Sequence, residues 1–226
     1  GAGNGNAALK NVSSIQDLGN HRVKITYSSK ASEVQNGMCF QSRPTVRDHA
    51  GTFFWKSKDI TMTSLDIHFL HGFGMVGQHS ENITMDDVDF EAPKESGRTT
   101  AGYADFVQMS GCKGTINISN CTFAGPHDDP INIHGTFNTV TAISSDRRTI
   151  TVQYNHNETA GFPNFFEGDE IEFMTKGNMI TVEDSVRTVT KVDGPDGKGG
   201  KIAEGSGSLT TNKLTLNEAV PSHVQV

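Results

Sequence analysis

Three copies of one short pattern constrain this chain more than any other feature. Ser57-Lys-Asp-Ile-Thr-Met-Thr-Ser-Leu-Asp-Ile67 aligns without gaps to Ser80-Glu-Asn-Ile-Thr-Met-Asp-Asp-Val-Asp-Phe90, a step of 23 residues (57 to 80). It aligns again to Lys113-Gly-Thr-Ile-Asn-Ile-Ser-Asn-Cys-Thr-Phe123, a step of 33 (80 to 113). Each copy holds two apolar pairs at period two, Ile60/Met62 and Leu65/Ile67 in the first, split by a two-residue polar break. Period two marks strands, and the break bends the chain between them. A unit this short cannot bury its own apolar face and must stack on its neighbours. A leucine-rich repeat of similar period would need a Leu/Asn ladder, which these copies lack. An all-β fold built on a right-handed parallel β-helix is therefore expected over 1–136. Residues 51–135 carry the pattern, and Glu91–Thr100 reads as a loop protruding from one coil. In 7–50, Val23–Tyr27 and Met38–Phe40 fit strands without a clear register.

After Gly135 the period ends. Segments 137–143, 148–154, 168–174, 179–192 and 209–216 alternate as strands, with the turn-rich Asp193–Gly200 between two of them. Antiparallel hairpins closed as a small β-barrel domain are expected over 137–226, inserted into the β-helix or following it.

Composition narrows the function. A formal charge of −7 argues against nucleic acid or an anionic membrane surface as partner. No run of eighteen apolar residues occurs, so no membrane span is expected. Neither a signal peptide nor a natural start is evident at Gly1–Asn6. The chain reads as a piece of a longer exported protein. The three cysteines, Cys39, Cys112 and Cys121, form no CxxC, which argues against zinc. They read as buried thiols, with a Cys112–Cys121 bridge as the alternative in an oxidising compartment.

The chemistry concentrates in two stretches of one form. They are Tyr103-Ala-Asp105-Phe-Val-Gln108-Met109 and His127-Asp128-Asp129-Pro-Ile-Asn132-Ile-His134. Alternation sends Val107, Met109, Ile131 and Ile133 to one face, and Gln108 and Asn132 to the polar face. Stacking places Asp129 on Asp105 and Asp128 on Ala104. The step of 33 places Asp105 on Gly72 and Ala104 on His71. One edge then presents His71, Asp105, Asp128 and Asp129, with His127 and His134 nearby. Strands on neighbouring coils lie about 4.8 Å apart. Like charges that close raise one another's pKa. Such a split lets one carboxyl protonate a leaving oxygen while another activates water, as in an inverting glycosidase. The same aspartates could instead cap turns or hold calcium.

His71 and His127 suit sugar hydroxyls or orienting an acid as readily as a structural role, and His134 suits a coil corner. The sole tryptophan, Trp55, is either a platform for a sugar ring or a coil-corner core aromatic, with Phe53 continuing the inward ladder. Arg43, Arg47 and Arg98 are candidates for hydroxyl or carboxylate recognition against a default of solvated surface. Asp86, Asp87 and Asp89 read as a solvated face, and Asn82, Asn117 and Asn120 as a structural ladder.

The run Ala104-Asp105-Phe-Val-Gln108-Met-Ser-Gly-Cys112 to Phe123, then His127-Asp128-Asp129-Pro-Ile-Asn132-Ile-His134-Gly135, resembles glycoside hydrolase family 110. So does Gly51-Thr-Phe-Phe-Trp55-Lys-Ser57. The family comprises exo-acting α-1,3-galactosidases, some acting on blood group B structures. The resemblance implies galactose-terminated glycans as partners, inversion of configuration, no metal and no cofactor. It implies Asp105, Asp128 and Asp129 as catalytic residues, with Asp105 as acid. Trp55, His71, Gln108, His127, Asn132 and His134 are the candidate substrate-binding residues. A more distant likeness to the inverting polygalacturonases would make Asp128 the acid. That substrate calls for an Arg/Lys cluster, which the sequence near the acids lacks. A non-catalytic glycan-binding module is a third reading. In the family the β-helix resumes after the barrel and completes the pocket, which implies little activity for this polypeptide alone.

Overall fold

The computed structural model describes residues 7–40, 49–155, 163–194 and 211–226. Arg43, Arg47 and most of the Asp193–Gly200 turn lie outside them. The chain forms two compact units, Gly1–Val46 and Arg47–Val226.

In the first unit, β1 (Val12–Gly19) pairs antiparallel with β2 (Arg22–Tyr27), with Ile15 opposite Ile25. Asn20 and His21 both take positive φ at the hairpin tip, as a two-residue turn between right-twisted strands requires. The expected strand at Val23–Tyr27 thus pairs locally, not with a parallel coil, and Met38–Phe40 is not a strand.

The second unit begins with two parallel sheets. The first stacks β3 (Ala50–Trp55), β5 (Phe73–Gln78), β7 (Val107–Ser110) and β10 (Ile131–His134) in that order. The second stacks β4 (Lys58–Ile67), β6 (Glu81–Phe90) and β8 (Lys113–Ser119), with β9 (Thr122–Phe123) also on β6. The 23-residue step appears directly as Ile60 beside Ile83 and Leu65 beside Val88. The polar breaks bend through left-handed residues at equivalent positions, Ser64, Asp87 and Asn120. A second left-handed column, Lys56, His79 and Gly111, turns the corner after β3, β5 and β7. Small polar residues and glycine tolerate that conformation best.

The step of 33 splits in two. Leu70 bridges Gly102, Met75 pairs with Val107 and Gln78 with Ser110, each a step of 32. β6 and β8 begin at the same step, Glu81 with Lys113, and then slip so that Ile83 pairs with Ile116. The extra residue sits at Gly114, whose φ is +71°, beside Thr115, whose N–H donates to Asn82 Oδ1 at 3.2 Å. Nine of the ten surplus residues are therefore in the loop before β7 and one is in a bulge.

Apolar residues of both sheets meet inside. Met75, Ile83, Met85, Val88, Phe90, Phe106, Val107 and Met109 are buried. Phe90 stacks on Phe106 at 5.4 Å and on Phe123 at 5.1 Å. Phe54, not Phe53, joins this core. Phe54 lies in register with Gly77, and Phe53 is 55% exposed. Gly77 is what makes room, since a Cβ there would overlap the Phe54 ring and come within 2.6 Å of Met109 Sδ. Cys39 is exposed and Cys112 and Cys121 are half-buried, all as free thiols. Burial holds the Cys112 thiol above its ordinary pKa.

Outside the second sheet, the carboxylates expected as a solvated face cross-link the strands. Asp86 Oδ1 accepts from Ser119 Oγ at 2.9 Å and Asn120 Nδ2 at 2.7 Å. Those two donors, Asn120 first, hold the Asp86 carboxyl below its ordinary range. Ser64 Oγ donates to Asp87, Thr122 N–H to Asp89, and Asn82 Nδ2 to Asp59.

The rest of the second unit is a five-stranded antiparallel sheet. Its strands are β11 (Asn138–Ile143), β12 (Thr149–Tyr154), β13 (Glu170–Ile171), β14 (Arg187–Asp193) and β15 (Thr211–Leu216), in the order β11-β12-β15-β14-β13. Ile150, Val152, Phe173, Val189, Leu214 and Leu216 form its core with Val220 and Val224. Arg147 ties down the last segment, its guanidinium donating to the carbonyls of Val220, Pro221 and Val224. No described helix is long and apolar enough to cross a membrane.

Candidate active site

The first parallel sheet determines which side chains share its polar face. Phe53, Val76, Gln108 and Asn132 form one column across β3, β5, β7 and β10. Trp55, Gln78, Ser110 and His134 form the next. β10 lies on β7 at a step of 24, Ile131 beside Val107 and His134 beside Ser110. That register continues through the corner, where Phe106 N–H donates to Asp129 O at 3.0 Å and Val107 N–H to Pro130 O at 3.2 Å. Asp129 thus stacks on Asp105, as the motif alignment predicts.

The three carboxylates converge. One oxygen each from Asp105, Asp128 and Asp129 lie within 4.8 Å of one another. Their surroundings differ. Asp105 is 2% exposed, while Asp128 and Asp129 are exposed. Asn132 Nδ2 donates to Asp105 Oδ2 at 3.2 Å. A buried carboxylate that is hydrogen-bonded, beside two that face solvent, is an asymmetric cluster. It can shuttle a proton at the inner group and engage water at the outer ones. The same spacing is within reach of a hard cation's oxygen shell.

The neighbouring polar residues pair among themselves. Gln108 Nε2 lies 2.7 Å from His134 Nε2, and His134 Nδ1 lies 2.8 Å from Gly135 O. His127 is half-buried next to Asp128 in sequence. His71 departs from its expected place. At the step of 32 it falls on Tyr103 and Asp105 falls on Phe73, one residue off the predicted stacking. His71 is exposed, with its ring 6.4 Å from that of His49.

Trp55 stands on the same face but β5 separates it from β7. Its ring meets His79 edge-on at 5.3 Å, Phe166 at 6.1 Å and Phe53 at 6.3 Å. Lys56 Nζ sits 3.7 Å over the Phe166 ring. Trp55 is thus half-buried in the corner where Phe166, from the segment before β13, packs against it, in keeping with the packing alternative. Burial lowers the His79 pKa, Lys56 adds to that, and a hydrogen bond with the Pro163 backbone and the charge of Asp169 oppose it. The folded state therefore disfavours protonated His79, so stability should fall as pH drops below the ordinary imidazole value of about 6.5. A His79→Phe variant should lose that component. Thermal unfolding between pH 7.5 and 5, followed by Trp55 fluorescence, checks it. Parallel melting curves for the two proteins would refute it.

Sequence reasoning passed over Gly74 and Gly77, two glycines in one six-residue strand. Glycine inside a strand signals close backbone approach, and Gly74 is where β5 meets the backbone of Asp105 and Phe106.

The chain is similar to known proteins over most of its length. Residues 149–196 match the family model described as GLAA-B beta-barrel domain II. The chain is 44% identical over 220 residues to a Streptomyces avermitilis protein named alpha-1,3-galactosidase A, covering 97% of this chain and 34% of that protein. It is 43% identical over 204 residues to the protein of that name from Peterkaempfera griseoplana, covering 90% and 28%. It is 42% identical over 163 residues to the one from Bacteroides thetaiotaomicron, covering 71% and 28%. The chain spans about a third of the length of these curated relatives. With its aspartate cluster assembled on a parallel sheet and a β-barrel-type domain following, the chain belongs to the α-1,3-galactosidase family that its motifs resemble.

Proposed function

We propose that this chain carries the catalytic acids of an exported α-1,3-galactosidase that removes terminal galactose from glycans with inversion. The observation that carries the reading is the convergence of Asp105, Asp128 and Asp129 within 4.8 Å. Asp105, buried and held by Asn132, is read as the proton donor to the leaving oxygen. Asp128 and Asp129, facing solvent, are read as the pair that activates water. The two parallel sheets are read as faces of a β-helix whose polar side forms the sugar site.

Inversion is supported by the family likeness. The carboxylate spacing is shorter than the roughly 6.5–9.5 Å typical of inverting pairs, so the released anomer is the discriminating readout. Among the described strands β10 ends its sheet, and its residues Ile131 and Ile133 are 38% and 50% exposed. We read that face as one that further chain covers in a complete enzyme. A polypeptide extended to the relatives' length should hydrolyse α-1,3-linked galactosides in preference to α-1,4- and α-1,6-linked ones. NMR should show β-galactose first, and this chain alone should be far slower. First-formed α-galactose, or equal rates for the two polypeptides, would count against the reading.

A further inference from the structure

The hydrogen bonds around His134 fix more than its position. The carbonyl of Gly135 can only accept, so the Nδ1 that lies 2.8 Å from it carries the proton. In the neutral ring Nε2 is then an acceptor. Its partner 2.7 Å away, the Gln108 side chain, must present N–H to it. Gln108 has one amide, so its orientation is set, with Nε2 committed to His134 and Oε1 left to accept from solvent or ligand. The backbone of Gly135 thereby dictates, through one imidazole, which end of the amide a ligand meets.

The location gives that polarity a use. Gln108 stands in register with Asn132, whose amide holds Asp105. Gln108 and His134 are both half-buried on the face that bears the acids. A sugar hydroxyl can donate or accept. An amide locked as an acceptor selects the donating orientation, and an axial and an equatorial hydroxyl would reach it from different directions.

Resting on the galactosidase reading, we infer that His134 is a positioning residue and Gln108 a specificity-determining one. Gln108 Oε1 accepts a hydrogen bond from one hydroxyl of the non-reducing sugar. Two arms test it. The first needs no turnover. Imidazole 15N–1H correlation spectra of the chain should show neutral His134 protonated at Nδ1 and not at Nε2. In Gln108→Glu, whose carboxylate has no proton to donate, Nε2 should become protonated as well. A wild-type ring protonated at Nε2 alone overturns the inference.

The second arm compares Gln108→Leu with wild type in the full-length enzyme, using an aryl α-galactoside and its monodeoxy analogues. The variant should lose about tenfold in kcat/KM on the parent sugar, the effect of roughly one hydrogen bond. On one monodeoxy analogue, the variant and wild type should be equal. An equal loss on every analogue overturns the inference while leaving the galactosidase reading intact. If the wild type hydrolyses no α-galactoside, the galactosidase reading falls and takes the sugar-hydroxyl assignment with it.

Discussion

Asp105→Asn, made in a polypeptide of the relatives' full length, should lower kcat on alkyl α-galactosides by about a thousandfold, within the range for loss of general acid catalysis. KM should change little. Asparagine keeps the shape and still faces Asn132, but it has no proton to give. The size of the loss should depend on the leaving group. A dinitrophenolate departs without protonation, so its galactoside should lose far less than a methyl galactoside does. That contrast separates the acid from the base. Asp128→Asn and Asp129→Asn should depress both substrates alike, because each still needs an activated water. Binding of galactose, measured by calorimetry, should survive in all three variants. If Asp105→Asn hydrolyses methyl α-galactoside at the wild-type rate, the assignment of Asp105 is wrong and the proton donor is another group.

How much of this was legible in the sequence depends on which interactions govern each feature. The stacking of Asp129 on Asp105 was legible because two strands of identical alternation, stacked one step apart with their motifs aligned, put Ile131 and Ile133 on the same face as Val107 and Met109. The position of His71 was not. Sequence alignment reports only the total surplus between coils, and the structure divides it between the loop before β7 and the bulge at Gly114. A glycine with φ of +71° accommodates an extra residue that a β-branched one would resist. Trp55 was ambiguous for a related reason. Its neighbours His79 and Phe166 come from 24 and 111 positions away, and no local pattern links a strand end to a loop of a later sheet. The Gln108–His134 pair was half legible. Gln108 was expected on the polar face and His134 at a coil corner near the acids, but their pairing and the direction of the hydrogen bond depend on the Gly135 carbonyl.

Gly74→Ala should be among the most destabilising single substitutions in the parallel stack, by about 3 kcal/mol, the upper end for an overpacked site. A methyl group there would overlap the carbonyl oxygen of Asp105 and sit 2.5 Å from that of Phe106. Both obstacles are backbone, so no rotamer relieves them. β7 must move away from β5, which strains the bond from Met75 N–H to Phe106 O, now 2.8 Å. The Phe90–Phe106 stack beneath moves with it. Gly135 is the control, since a Cβ there meets only the Phe137 ring at 3.7 Å. Gly135→Ala keeps the carbonyl that His134 needs and should stay within about 0.5 kcal/mol of wild type. Urea unfolding of the two variants measures the difference. A Gly74→Ala protein as stable as Gly135→Ala would mean that β5 and β7 do not approach as described. Because the atom that Gly74 admits is the carbonyl of Asp105 itself, any folded Gly74→Ala protein should also lose activity out of proportion to its stability. The glycine sets how deep the acid sits, and the depth is what distinguishes Asp105 from the two exposed aspartates beside it.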